Sequence, residues 1–157
     1  GVHDIAILNF GVLRPEALRA AEQLDATVID MRWVKPLDRT AILDAAAGHA
    51  RLITVEENSI AGGAGSGVAE LLAAEGIDIP VRHIGISDAF IDHASQQQNR
   101  VAAGLTAEDI INIASDNAGY LTAQASLTTA MIAPQRAGSL QRVDVRIDDK
   151  NRSQMEP

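Results

Sequence analysis

The 157-residue chain contains no cysteine. Disulfides, thiolate nucleophiles and cysteine-ligated metals are thereby excluded, and a reducing compartment fits. Aromatic residues are scarce: Phe10, Trp33, Phe90 and Tyr120 are the complete set, 3% of the chain, which argues against recognition by base stacking. Positive charge is short as well. Thirteen Lys and Arg face twenty-one Asp and Glu, for a formal charge of −8, so neither nucleic acid nor an anionic membrane is an expected partner, since both need cations to neutralise phosphates. No apolar run approaches the ~20 residues of a transmembrane helix, and the N-terminus lacks the charged and apolar regions of a signal peptide. The expected location is the cytoplasm.

Apolar residues are 46% of the chain, enough for one core, and the length suits one domain with a tail. Ile5-Ala6-Ile7-Leu8, Val28-Ile29-Asp30-Met31 and Leu52-Ile53-Thr54-Val55 are apolar on successive residues, as strands covered on both faces must be. Val81 to Ile86 is less uniform and suits a strand nearer an edge. Helical windows alternate with these strands: Pro15 to Leu24, Asp38 to Ala47 with Asp38 as N-cap, and Gly67 to Ala74 with Ser66 as N-cap. The order β-α-β-α-β-α-β predicts a three-layer α/β/α fold on a mostly parallel sheet of four to five strands. Thr106-Ala107-Glu108-Asp109 has the form of a capping sequence for a last helix carrying Ile110, Ile111 and Ala114.

Charge marks a boundary near Asn117. Residues 1–117 hold eight Lys/Arg and seventeen Asp/Glu, whereas residues 118–157 hold five and four. The expected division is therefore an α/β domain over 1–117 and a polar tail over 118–157. Within the tail, Arg142-Val143-Asp144-Val145-Arg146-Ile147 alternates with period two, which suits an edge strand.

The most informative stretch is Ile53 to Val68, where an apolar run meets Glu56, Glu57 and Asn58 and a glycine-rich turn, Gly62-Gly63-Ala64-Gly65-Ser66-Gly67, opens a helix. A helix N-terminus attracts anions, but the spacing does not support a nucleotide site. Val68 stands where a dinucleotide fingerprint needs a third small residue, and Val68 and Ala69 stand where a P-loop needs Lys and Ser or Thr. Adjacent Glu56 and Glu57 on a strand point to opposite faces and cannot form an acid-base pair; one can bond a neighbouring loop while the other faces solvent or an interface.

Other catalytic candidates are thin. His3, His49, His83 and His93 show no helical pairing that would signal zinc. His83 sits in a strand and reads as a packing residue with a satisfied hydrogen bond, while His93, close to Asp88 in a polar loop, is the better functional candidate of the four. Ser59 and Ser66 lack the surroundings of an activated nucleophile. Arg32-Trp33-Val34-Lys35-Pro36 joins the second strand to its helix. Its Arg and Trp have the chemistry of an interface hot spot, with a Trp covering the end of the local core as the alternative. The interface candidates are thus Arg32, Trp33, Lys35, Glu56, Glu57, Asn58, Gly62, Gly63, Gly65 and Ser66.

Those loops also carry a resemblance. Asn9-Phe10-Gly11, Asp30 to Asp38, Val55 to Val68 and Ile84 to Ile91, in this order and with these intervals, closely resemble the C-terminal domain of the 1-deoxy-D-xylulose-5-phosphate synthases, within the transketolase C-terminal domain family. The similarity covers roughly residues 4–116. It implies a five-stranded mixed sheet whose antiparallel edge strand precedes Gly1. It also implies a parent activity, the thiamine-diphosphate-dependent joining of a two-carbon unit from pyruvate to glyceraldehyde 3-phosphate in isoprenoid biosynthesis. In that family the thiamine diphosphate and Mg2+ are held by N-terminal and middle domains, so the resemblance implies no catalytic, cofactor or metal residue in this chain. It implies a structural, dimer-supporting role beside those domains, in a homodimer. A free-standing binding module and a subunit of a split enzyme are the alternatives. His93-Ala94-Ser95-Gln96-Gln97-Gln98 and Leu13-Arg14-Pro15-Glu16 depart from the family's usual wording, and residues 118–157 match nothing in it.

Overall fold

The structure, a computed structural model, describes residues 4–116; the segment 142–147 expected as an edge strand lies outside the described residues. Four strands, β1 (Ile5–Phe10), β2 (Thr27–Asp30), β3 (Arg51–Ser59) and β4 (Val81–Ile86), alternate with helices α1 (Arg14–Leu24), α2 (Arg39–Gly48) and α3 (Ala64–Ala74), followed by α4 (Gln96–Ala102) and α5 (Ala107–Ser115). The sheet order is β2-β1-β3-β4 and every pairing is parallel. All six residues of β1 are buried, as its central position demands, and β4 lies at an edge as its mixed composition predicts. The antiparallel fifth strand implied by the resemblance has no counterpart among the described residues.

Strand alternation divides the core in two. Ile5, Ile7, Ile53 and Val55 pack with Ala17, Ala20 and Ala21 of α1 and Ile110 and Ala114 of α5. Ala6, Leu8, Phe10 and Leu52 pack with Ile42 and Ala45 of α2 and Val68, Leu71 and Leu72 of α3. The chain steps from β1 outward to β2, then crosses back past β1 to β3. Keeping one hand of crossover through that reversal sends α1 and α2 to opposite faces, which creates a switch point between β1 and β3. Alanines on α1 let that helix approach the sheet closely, since each buries little volume.

Helix starts follow their caps. Asp38 accepts from the Ala41 N–H, and Thr106 and Asp109 form a reciprocal capping box at α5, both as the residues predict. The start of α3 differs. It begins at Ala64 with Gly63 as N-cap, three residues ahead of the expected Gly67, so Ser66 is no cap. Its hydroxyl accepts from Gly62 N–H at 3.1 Å and donates to the Ile60 carbonyl at 3.0 Å, closing the turn before the helix. Strand β3 likewise continues through Glu56 to Ser59, beyond the expected end at Val55. The polar stretch after Ile86 contains α4, whose Ser95 and Gln98 form a second capping box. Ser-x-x-Gln at 95–98 was the sequence signal for that helix.

Candidate functional site

Carboxyl ends of parallel strands gather at one edge of the sheet, and in open α/β folds function collects there, beside the switch point. Here that edge is formed by the turn after β1 (Gly11 to Leu13), the Met31-to-Leu37 loop after β2, the Ile60-to-Gly63 turn after β3 and the Ser87-to-Ala94 loop after β4. Gly62 has φ +74° and Gly11 φ +89°, a region that side chains rarely enter, so these two turns depend on glycine.

At the centre lies Glu56, only 3% exposed. Its direction follows from the pleat: Glu56 pairs with Phe10 in the β1/β3 register and shares the face of Leu52, which packs against α2 and α3. Oε2 accepts from Ala64 N–H at 2.7 Å and Oε1 from Gly65 N–H at 2.9 Å. One carboxylate thus satisfies two of the orphan N–H groups at the helix start and sits at the positive end of its dipole. Gly63 and Gly65 make this approach possible. A Cβ on Gly63 would lie 2.5 and 2.7 Å from the two Glu56 oxygens, and one on Gly65 would lie 2.5 Å from Thr54 Oγ1 and still nearer His83 Nδ1.

The diphosphate of thiamine diphosphate does not fit this turn. The N–H groups that could hold a phosphate are taken by an internal carboxylate, and a second anion would meet it in a buried setting. Among the described residues there is no cluster of three or more His, Cys, Asp and Glu able to hold a metal ion.

His83 is on the same face as Glu56. Its Nδ1 hydrogen-bonds with Thr54 Oγ1 at 2.8 Å, in keeping with its reading as a satisfied packing residue. Burial holds the imidazole below its ordinary value of 6.5, and the negative charge of Glu56 offsets part of that shift. Folding therefore favours the neutral ring. Its contribution to stability is complete above pH 6.5 and is lost as pH falls through the lower folded-state value. Chemical denaturation at pH 7.5 and pH 5.0 is expected to show a smaller acid loss for His83→Gln than for the wild type; equal losses would mean that other groups carry the acid sensitivity.

Glu57 points to the opposite face, as adjacent strand residues must, and its Oε1 pairs with Nε of Arg100 on α4. That contact ties the helix missed in the sequence to β3. Asn58 is exposed beside it. At the β2 end, Trp33 is 69% exposed, which removes the reading that it covers the local core. Arg32 has φ +54°, a conformation that costs a non-glycine residue about 1 kcal/mol or more. Arg14 and Arg32 both approach Asp30 Oδ2, at 3.9 and 3.8 Å, and Lys35 is exposed nearby. Asp88 and His93 are exposed on the loop after β4.

The proposed interface residues thus divide in two. Glu56, Gly63, Gly65 and Ser66 form an internal scaffold around the start of α3, while Arg32, Trp33, Lys35, Asn58 and Gly62 stand at the surface and half-buried Glu57 is held by Arg100. Asn9 is the site residue that the sequence reading left without a role. It is fully buried at the end of β1, where Nδ2 donates to the Gly11 carbonyl at 3.0 Å, holding the turn that leads to α1.

Most of the chain, this edge included, matches known proteins. Residues 2–110 match the family model described as "Transketolase, C-terminal domain". The chain is 56% identical over 103 residues to the 1-deoxy-D-xylulose-5-phosphate synthase of Escherichia coli O157:H7 (strain EC4115 / EHEC), covering 66% of this chain and 17% of that protein. It is 52% identical over 106 residues to the synthase of Pseudomonas entomophila (strain L48), covering 68% and 17%. Among solved structures it is similar to a split gene transketolase, an inactive β4 tetramer, with a TM-score of 0.66 and 36% identity over 71% of this chain and 38% of that one. The chain therefore spans about a sixth of the length of these curated relatives, 17% in each case. With the matched segment covering most of the chain, and with its all-parallel sheet and helices on both faces, the protein belongs to the transketolase C-terminal domain family.

Proposed function

We propose that this chain is the C-terminal domain of a 1-deoxy-D-xylulose-5-phosphate synthase-like transferase, which condenses pyruvate with glyceraldehyde 3-phosphate and releases CO2. The observation that carries the reading is 56% identity to a synthase over 103 residues, together with the transketolase-type fold. In this reading the chain is a structural, dimer-supporting part. Thiamine diphosphate and Mg2+ belong to the N-terminal and middle domains, and the intact enzyme is a cytoplasmic homodimer. When bound there, the cofactor supplies a carbanion equivalent for two-carbon transfer. The role of this chain is to hold those domains in place through Arg32, Trp33, Lys35 and the surface carried on the Glu56 scaffold.

Exchange of the matched segment of the Escherichia coli relative for residues 1–116 tests the reading. The chimera is expected to form 1-deoxy-D-xylulose 5-phosphate from the two substrates. A well-folded but inactive chimera would refute it. The same reading predicts that the chain alone gives no saturable heat with thiamine diphosphate and Mg2+ in isothermal titration.

Likeness to the split gene transketolase favours one second reading, a separate subunit that completes a split enzyme. The two differ in covalent connection. Mass spectrometry of the protein purified from its source reads a long polypeptide under the first and a separate subunit with a co-purifying partner under the second.

A further inference from the structure

We propose that residues 142–147 of this chain add to the free edge of β4 as a fifth strand, with their apolar face filling the hollow between that edge and α5. Sheet order leaves two edges, β2 and β4, and no described strand pairs with the outer side of either. The ladder identifies the groups that β4 leaves open. Leu52 N–H donates to the Pro80 carbonyl and Ile60 N–H to the Ile86 carbonyl, so even-numbered residues serve β3, and alternation turns the N–H and C=O groups of Val81, His83 and Gly85 outward. A row of backbone donors and acceptors of this kind is a template for a further strand.

A hollow of about 220 Å³ opens beside these groups, with Ile60, Ile84, Ala103 and Ile113 among its walls. Ile84 and Ile113 belong to the core between the sheet and α5, so apolar side chains that enter the hollow come from that face of the sheet. Residues 142–147 read Arg-Val-Asp-Val-Arg-Ile. In a strand, Val143, Val145 and Ile147 share one face and Arg142, Asp144 and Arg146 the other. Turned toward α5, the first three are β-branched residues suited to a pleated, half-buried surface, and they extend the row that Ile84 begins. Strand addition of this kind takes its affinity from backbone bonds and its register from side-chain pockets. The six residues of β4 match the six of the segment.

The chain leaves the described residues at this same edge. Asp116, the last of them, caps α5 and lies with Oδ2 3.6 Å from Nη2 of Arg82, the second residue of β4. Residues 117–141 join Asp116 to the segment and reach at most about 80 Å, several times the roughly 20 Å length of a six-residue strand. The other edge is less suited. Strand β2 has four residues and ends in exposed Asp30, so it cannot pair with the whole segment. Charge agrees with an intrachain partner: residues 1–117 hold eight Lys/Arg and seventeen Asp/Glu, whereas residues 118–157 hold five and four, so Arg142 and Arg146 approach an acidic domain. The family match ends at residue 110, and the added strand lies beyond it.

Residue-resolved amide hydrogen exchange on the full 157-residue chain provides the test. One variant carries Val145→Pro and Arg146→Pro together, because adjacent N–H groups point to opposite sides of a strand and one of the two must face β4. A second, Val145→Ile, keeps strand character. In the wild type, slow exchange is expected at His83 and Gly85 and at alternate amides within 142–147. The double proline variant should speed exchange at His83 and Gly85 about tenfold or more while Ile7 and Ile53, in the sheet centre, stay within about twofold, and Val145→Ile should retain the protection. Fast exchange throughout 142–147 in the wild type overturns the proposal. Protection at His83 and Gly85 that survives both prolines overturns it as well, since other groups would then cover the edge. Protection that falls on dilution, with a dimer in sedimentation equilibrium that the prolines abolish, would assign the strand to a second copy and overturn the intrachain arrangement.

Discussion

Glu56→Ala is expected to lower the stability of the domain by about 3 kcal/mol, since each lost hydrogen bond to a charged acceptor is worth roughly 1.5 kcal/mol or more. The substitution strands the N–H groups of Ala64 and Gly65 at a buried helix start and leaves a cavity where the side chain was. Part of the loss comes from the helix dipole, which then has no negative charge at its positive end. Glu56→Gln should recover about half of the deficit, because the amide oxygen can accept one of the two bonds while its NH2 group faces the other donor. Urea unfolding with an unchanged m-value measures both losses. At roughly 4 °C per kcal/mol, the alanine variant should melt about 12 °C lower. A loss below about 1 kcal/mol would show that water replaces the carboxylate readily and that Glu56 is no keystone.

Gly63→Ala should be nearly as damaging, at about 3 kcal/mol, because the new methyl has no space and its neighbours cannot yield cheaply. It would collide with the backbone carbonyl of Ser59 and press on both Glu56 oxygens. Moving the first displaces β3, and moving the second breaks the contact with α3. Gly67→Ala, four residues further on, is the control. Its Cβ would meet only the Leu37 Cδ1 at 3.0 Å, the end of a side chain that can rotate, and alanine gains up to about 1 kcal/mol of helix propensity over glycine. The two variants differ by one methyl each and lie at opposite ends of the first helical turn. Comparable effects on melting would mean that the crowding around Gly63 is relieved by small backbone shifts.

These two substitutions bear on function through the edge that Glu56 supports. The Ile60-to-Gly63 turn stands above the β1/β3 switch point, between the Trp33 and Phe90 ends of the same edge. A loosened start of α3 would tilt that turn, and an enzyme whose domains meet there would lose activity before it lost secondary structure. Glu56→Gln in the chimera therefore separates scaffold from surface: it lowers domain stability, whereas Trp33→Ala leaves stability in place and weakens contact.

Much of the architecture was legible in the sequence because it rests on periodicity and local chemistry. Apolar runs at residues 5–8 and 52–55 could only be strands buried on both faces, and the alternation with helical windows led to a parallel sheet. Asp38, Thr106 and Asp109 announced two helix starts, since a cap is satisfied within three residues of itself. Opposite directions for Glu56 and Glu57 followed from the pleat alone. The order of the loop motifs carried the family resemblance.

Tertiary structure decided what depends on groups distant in the chain. Ser66 has the chemistry of an N-cap, yet α3 starts earlier because Glu56, eight residues before Ala64, reaches the helix from the adjacent strand. No local window contains that competition. The extension of β3 to Ser59 depends on its resumed pairing with Ile86, a partner supplied by another strand. Trp33 could have been core or anchor on composition, because an aromatic ring serves either use; its exposure was settled only by where the loop after β2 leaves the sheet. Local patterns determine which elements form, while the roles of their connecting residues depend on non-local partners that compete for the same hydrogen bonds and the same space.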